Sequence, residues 1–217
     1  MVERLFYLSR GVVTARGRGR QVDQGLLPQR PKPVREHPER PNHILEPAWS
    51  GIRCLVRVGH PGPRFVGYGG PVDGPAGLHA AIAAEVRCSS VILDGVLVED
   101  WSDERDLEVD AGGNAIARPA SRRQIFSAFD LLEVDGTSLL EVPLLERKRH
   151  LEGVLIPSLN VRLTPFVSRS LRSWRDTLAG LGFGRVVMKD WNSRYTPGET
   201  AATWLVIDKL TPPRLPK

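Results

Sequence analysis

The 217-residue sequence predicts an α+β domain whose sheets are largely antiparallel and flanked by helices. Three observations carry this expectation. Period-two alternation or short apolar runs recur at 52–58, 91–98, 125–132, 185–189 and 203–208. Apolar residues fall at helical spacing at 75–87, from Pro143 onward, and at 169–181. The two kinds of segment interleave without regular βαβ units, which argues against a parallel doubly wound sheet.

Residues 1–43 stand apart, with RGRGR at 16–20, PQRPKP at 28–33 and HPERPNH at 37–43. Pro, Gly and Arg at this density break helices and central strands. The stretch reads as a basic arm, extended and partly mobile, with RLFYL near its start able to dock as an edge strand. Its cations Arg10, Arg16, Arg18, Arg20, Arg30 and Lys32 can track phosphates, or the segment can be a solvated linker. A domain follows over 44–210 and a short proline-rich tail over 211–217.

Within the domain, Ile52, Cys54, Val56 and Val58 alternate with Arg53 and Arg57, predicting a strand with the apolar set inward. Leu78, Ile82 and Val86 share one helical face. The polar stretch 101–122, containing DAGGN, reads as a long exposed loop. Asp135-Gly136 turns the strand at 125–132. Pro143 suits the first position of a helix that points Leu144, Leu151 and Leu155 inward. The helix at 169–181 buries Leu171, Trp174 and Leu178 and stops at Gly182.

Composition bounds the rest. Hydrophobic content of 41% and charged content of 25% are those of a soluble globular protein. No apolar run reaches the roughly 20 residues of a membrane span, and no secretory h-region is present, so a cytoplasmic protein is expected. Cys54 and Cys88 lie in apolar segments and are expected as free thiols. A net charge of +5 permits an anionic partner without specifying one.

Five blocks then read together. Glu46-Pro-Ala-Trp-Ser-Gly-Ile-Arg53, Val91-Ile-Leu-Asp-Gly-Val-Leu-Val98, Phe129-Asp-Leu-Leu132 with Asp135-Gly136 and Pro143–Lys148, Arg185–Lys189 with Ser193–Gly198, and Trp204-Leu205 follow one another in order. They resemble the motifs of the adenylation (nucleotidyltransferase) domain of ATP-dependent DNA ligases of the bacterial end-joining type. The family's corresponding blocks read E-P-K-W-D-G-x-R, V-x-L-D-G-E-x-V, F-D-L-L-x-x-D-G…P-L-x-x-R, E-G-V-V-x-K…S-x-Y-x-P-G and W-L-K-x-K. The resemblance covers about three quarters of the chain. It implies a ligase-type, ATP-grasp-like fold, here without the OB-fold domain that follows in ligases.

The same resemblance implies that the reactive residues are gone. Ala48 stands where the family's lysine attacks the α-phosphate of ATP, and Ser50 where its aspartate stands. Val96 replaces a ribose-binding glutamate, and Glu99, on the other strand face, cannot substitute. Gly184, followed by Arg185, replaces a metal-assisting glutamate. Val206 and Asp208 replace two phosphate-binding lysines, Lys209 pointing the other way. The arginine of the family's S-R-x-G hairpin is missing, Tyr68 being nearest. Such coordinated losses imply a pseudoenzyme.

Other positions match the family. Phe129 stands where an aromatic ring stacks on adenine, or serves as core; Arg53 can grip a phosphate or carboxylate, or form an ion pair. Lys189 matches a motif lysine with a structural or ribose-side role, Trp49 and Trp204 pack, and Glu46 and Asp94 can pair with Arg53 or cap the emptied pocket. No catalytic cofactor is then expected: Mg²⁺ has lost its partners, while residual ATP or AMP binding stays open. Three functions compete: a non-catalytic module binding nucleic acid or a DNA-repair protein, a nucleotidyl-transfer enzyme using altered residues, and a structural or nucleotide-sensing subunit of a larger complex whose pocket is refilled by apolar side chains. A partner complex that supplies the missing groups stays open.

Overall fold

The computed structural model describes residues 25–35, 40–100, 107–109, 115–117, 123–208 and 210. The strands are β1 Arg30–Val34, β2 His43–Pro47, β3 Ile52–Val58, β4 Arg64–Gly67, β5 Gly70–Val72, β6 Val91–Asp100, β7 Leu107–Val109, β8 Ala115–Ala117, β9 Arg123–Val134, β10 Thr137–Ser138, β11 Val161–Leu163, β12 Arg185–Asp190 and β13 Thr200–Asp208. The helices are α1 Ala76–Glu85, α2 Leu144–Val154 and α3 Leu171–Gly180. One sheet runs β1-β13-β12-β2; a larger one runs β10-β9-β6-β3-β4-β5, with β11 also paired to β9. Pairing is antiparallel except for β1 with β13 and β11 with β9. The class is therefore α+β, as the interleaved pattern predicts.

Alternation sorts the side chains into layers. On one face of the large sheet, Cys54, Val56, Leu93, Leu97 and Phe126 pack against Leu78 and Ile82 of α1 and Leu151 of α2. Its other face, through Leu55, Ile92, Val96 and Phe129, meets Ile44 and Trp204 of the small sheet. The small sheet's outer face, with Leu45, Val186, Met188, Leu205 and Ile207, is covered by Leu178 of α3. The central strands are thus buried on both faces, which the half-buried pattern at 52–58 does not predict. Leu55 is buried although it sits on the arginine face, and Ile52, expected inward, is 48% exposed because it starts its strand beyond the helical cover.

Three further expectations change. The stretch 101–122 contains the antiparallel pair β7–β8, a hairpin that its polar composition hides. Pro143 precedes α2 as its cap residue rather than opening it, and Leu155 and Val86 lie just past their helices, where they bridge one another. Residues 26–34, grouped with the arm by composition, belong to the folded domain. Leu26 is buried among the inter-sheet residues, and β1 pairs with β13, its prolines tolerable because it is an edge strand. Arg30 and Lys32 therefore sit on a strand, whereas Arg10, Arg16, Arg18 and Arg20, with the tail 211–217, lie outside the described residues.

Two glycines fix how closely the strands approach. A Cβ on Gly51 would come 2.0 Å from the Leu97 carbonyl oxygen, and one on Gly95 would come 2.5 Å from both Ser127 O and the Phe126 ring. Opposite Gly95 the register slips: Asp94 faces Asp130 and Gly95 faces Ala128, leaving Phe129 as an extra residue. Such a bulge re-aims a side chain, and Phe129 joins the inter-sheet layer.

Candidate functional site

Between the two sheets lies a cavity of about 210 Å³. It brings together Glu46 of β2, Ala48, Arg53 of β3, Val96 of β6, Phe129 of β9, Lys189 of β12 and Val206 of β13, all seven singled out by the sequence. Pro47, Trp49, Gly51, Arg185 and Val187 of the same blocks also line it, with Pro31, which no motif marks. Strand alternation explains the set: Glu46, Val187, Lys189 and Val206 face the large sheet, while Leu45, Val186, Met188 and Leu205 face α3.

Ala48 also borders a larger concavity of about 500 Å³, which takes in Ser50 and Gly184 as well as Trp49, Ile52, Leu181 and Phe183. Asp208 lines neither concavity. It lies half-exposed opposite Arg185, at 4.0 Å, so the two charge changes at 185 and 208 face each other across the strand pair. Unlike Val206, which lines the cavity, Asp208 therefore does not bring its charge to the place where the resemblance implies a phosphate-binding lysine.

Two bidentate ion pairs lie behind the cavity, one within the large sheet and one tying α2 to it. Arg53 Nε and Nη2 donate to Asp94 Oδ1 and Oδ2 at 2.7 and 2.6 Å. Arg147 Nε and Nη2 donate to Asp130 Oδ1 and Oδ2, both at 2.8 Å. Asp94 and Asp130 are directly opposite and fully buried, a like-charge pairing that each arginine neutralises. Burial disfavours the charge of Asp130, but Arg147 outweighs it and holds the carboxyl below its ordinary value. Burial likewise opposes the charge on Arg53, and Asp94 outweighs it, leaving the guanidinium pKa raised. Tyr195 donates its hydroxyl to Asp94 at 2.6 Å; burial and that carboxylate push its pKa well up.

Gln29 closes this network from the supposed arm. Its N–H donates to the Tyr195 hydroxyl at 2.8 Å, its carbonyl accepts from Arg53 Nη2 at 3.3 Å, and its side-chain oxygen accepts from Thr196 N at 2.5 Å. No pattern in the proline-rich segment marks this glutamine. Of the two options for Arg53, the ion pair is realised, and the residue still borders the cavity.

Glu46 does not pair with Arg53. Its carboxylate lies between two lysines, Lys148 and Lys189, the latter at 2.6 Å. Lys148 also donates to the Phe129 carbonyl at 3.0 Å. Burial drives the Lys189 pKa down to about 8 against the pull of Glu46. The Lys189 ammonium and the Arg53 guanidinium lie 3.8 and 4.3 Å from the Phe129 ring centre, so that ring is both core and cavity wall. Lys148 escaped the sequence reading although it adjoins the motif arginine. Cys54 is buried and free with its thiol pushed up to about 12, and Cys88 is free. Among the described residues, no group of three or more His, Cys, Asp or Glu is placed to hold a metal ion, and no helix is long and apolar enough to cross a membrane.

No protein-family model matches the chain. Among curated proteins it is 33% identical over 138 residues to a DNA ligase of Methanothrix thermoacetophila, covering 59% of this chain and 25% of that protein. It is 30% identical over 168 residues to the multifunctional non-homologous end joining protein LigD of Mycolicibacterium smegmatis, covering 74% of this chain and 21% of that protein. The chain thus spans about a quarter or less of these relatives. Among solved structures it matches the ligase domain of M. tuberculosis LigD with a TM-score of 0.62 at 23% identity, over 84% of this chain and 59% of that one. A mycobacterial DNA ligase D complexed with ATP and MES gives 0.60 at 24%, over 84% and 60%. The fold is that of ligase nucleotidyltransferase domains, and the chain is a relative of the ATP-dependent DNA ligase adenylation domain of the bacterial end-joining type.

Proposed function

We propose that the chain is a ligase-fold domain that does not transfer adenylate and serves as a module binding nucleic acid or a DNA-repair partner. The observation that carries this reading is the lining of the inter-sheet cavity. Where the family resemblance calls for a nucleophilic lysine, the wall presents the methyl group of Ala48, and Val96 and Val206 replace polar groups with apolar ones. At about 210 Å³ the cavity is smaller than the roughly 300 Å³ at which sites for drug-sized ligands begin. Its one carboxylate, Glu46, is engaged by two ammonium groups and Gly184 offers no side chain, so these residues do not fit Mg²⁺.

The DNA side of the proposal comes from the relatives, both named for DNA ligation or end joining, and from the basic N-terminal stretch. Incubation with labelled ATP and Mg²⁺, followed by denaturation, tests the catalytic half; the protein should carry no label. Anisotropy titration of labelled DNA at several salt concentrations tests the binding half, and affinity should fall steeply with salt.

A second reading rests on Lys189. It is the one lysine among the residues lining the cavity, and burial leaves its amine more readily neutral than an ordinary lysine's. Nucleotidyl transfer through an altered nucleophile would then place the label on Lys189, and peptide mapping in the same experiment separates the two readings.

A further inference from the structure

Strand β1 is the exposed edge of the small sheet, and its chemistry is unusual for an edge. Pro31 and Pro33 offer no N–H, so the strand is blunted against pairing with another chain. What it presents instead is charge. Arg30 and Lys32 are both exposed, and neither side chain makes an ion pair among the described residues. The nearest acidic residue by register is Glu199, beside Thr200 opposite Arg30; its carbonyl accepts the Arg30 N–H, and its carboxylate pairs with neither cation.

The Arg30 side chain is nevertheless held. Its guanidinium lies 4.4 Å from the centre of the Tyr68 ring, on the turn between β4 and β5. The Tyr68 hydroxyl reaches the Gln29 carbonyl at 3.4 Å, the same oxygen that accepts from Arg53. Arg30 is therefore parked on a ring tied to the framework of the fold, and Pro31, next to it, forms part of the cavity wall. A guanidinium stacked on an aromatic face keeps its N–H edges available and loses less conformational freedom when it grips a planar anion.

We propose that Arg30, positioned by Tyr68 and assisted by Lys32, is a phosphate-binding site for a nucleic-acid backbone on the folded domain, beside the mouth of the inter-sheet cavity. This deepens the binding half of the proposed function and rests on it. It also divides the basic segment: cations before residue 25 act as a separate contribution, and β1 supplies a fixed one. A truncation at residue 40 cannot test this, because it would remove β1, Leu26 and Gln29 and with them part of the fold.

The test compares the full chain with Arg30→Ala, Arg30→Lys, Lys32→Ala, Tyr68→Leu, a deletion of residues 1–24, and Arg194→Ala as a control at an exposed cation paired with Glu141. Each is titrated against fluorescein-labelled duplex and single-stranded oligonucleotides between about 50 and 200 mM salt. Arg30→Ala should weaken binding about tenfold and reduce the slope of log K against log salt by about 0.9 on duplex or 0.7 on single strands, the value of one phosphate contact. Arg30→Lys and Tyr68→Leu should keep the slope, since the charge remains, while losing several-fold in affinity through lost fork geometry and lost positioning. Lys32→Ala should lower the slope as Arg30→Ala does. Binding by the full chain that is unchanged in Arg30→Ala and Lys32→Ala but lost on deleting 1–24 would overturn this site and leave the module reading standing. No binding by the full chain would overturn both.

Discussion

The framework behind the cavity and the cavity wall differ in what they ask of a residue, although the same sequence blocks supply both. In the framework, Arg53–Asp94, Arg147–Asp130, Tyr195 and Gln29 form one buried network in which each carboxylate has a guanidinium. At the wall, Ala48, Val96 and Val206 are apolar where the family resemblance calls for charge. A buried charge network tolerates no single removal, because the partner left behind keeps its desolvation cost. A cavity wall carries no such constraint, since an apolar group there leaves nothing unpaired. Folding therefore constrains the residues of the buried framework, whereas apolar side chains at the wall cost the fold nothing.

The largest effect expected from this contrast is that of Arg147→Met. It strands Asp130 in the interior and removes the donors to the Val142 and Ser193 carbonyls, and should cost about 3–5 kcal/mol in urea unfolding at pH 7. The pH dependence sharpens the assignment. In the native protein the Asp130 pKa is lowered, so its contribution is full above the ordinary aspartate value and is lost as pH falls through the depressed one. In the variant burial is opposed only by the weaker pull of Lys189 and Lys148, so the folded pKa rises and protonation relieves the penalty. The gap between variant and native protein should narrow from pH 7 toward about pH 4. A gap independent of pH would mean that lost packing, not the stranded charge, sets the cost.

Glycines give a smaller and more local contrast. Gly95→Ala drives a methyl into Ser127 O and the Phe126 ring and should cost about 1–3 kcal/mol. Gly184→Ala, at the outer concavity, meets nothing within 4 Å and should stay within about 0.5 kcal/mol. Thermal unfolding of the two single variants decides this, and equal costs would dissolve the distinction between framework and wall at these positions.

Legibility in the sequence varies with the kind of information. The class, the helices and the long strands follow from periodicity, because burial of one face per element imposes it. Seven cavity residues are nameable because motif spacing survives substitution. The bulge that turns Phe129 toward the cavity is not, since a register slip depends on two strands and leaves no mark in one. Gln29 and β1 are hidden for the same reason: a proline-rich edge strand looks like a linker until its partner, β13, is known. Nor does alternation show that Glu46 serves two lysines, because Lys148 arrives from α2, about a hundred residues along the chain.

The smallest expected effect is that of Ala48→Lys, and its smallness is what makes it informative. If the wall had lost only its nucleophile, restoring the amine would restore adenylate transfer. The surroundings argue otherwise. The new amine would enter a wall that already holds Arg53, Arg185 and Lys189, and it would find Val96 and Val206 where the family resemblance places polar partners. Glu46, the nearby carboxylate, is already shared by two ammonium groups. Groups that act as a unit in catalysis do not recover one at a time. Incubated with labelled ATP and Mg²⁺, the variant should remain unlabelled after denaturation, as the native chain should, and its intact mass should show no added adenylate. Stability should change little, because Ala48 is only partly buried and opens onto the larger concavity, where a lysine side chain can extend toward solvent. A covalent adenylate on the introduced lysine would show that the remaining wall still supports the chemistry, and that the loss at this site is one residue deep.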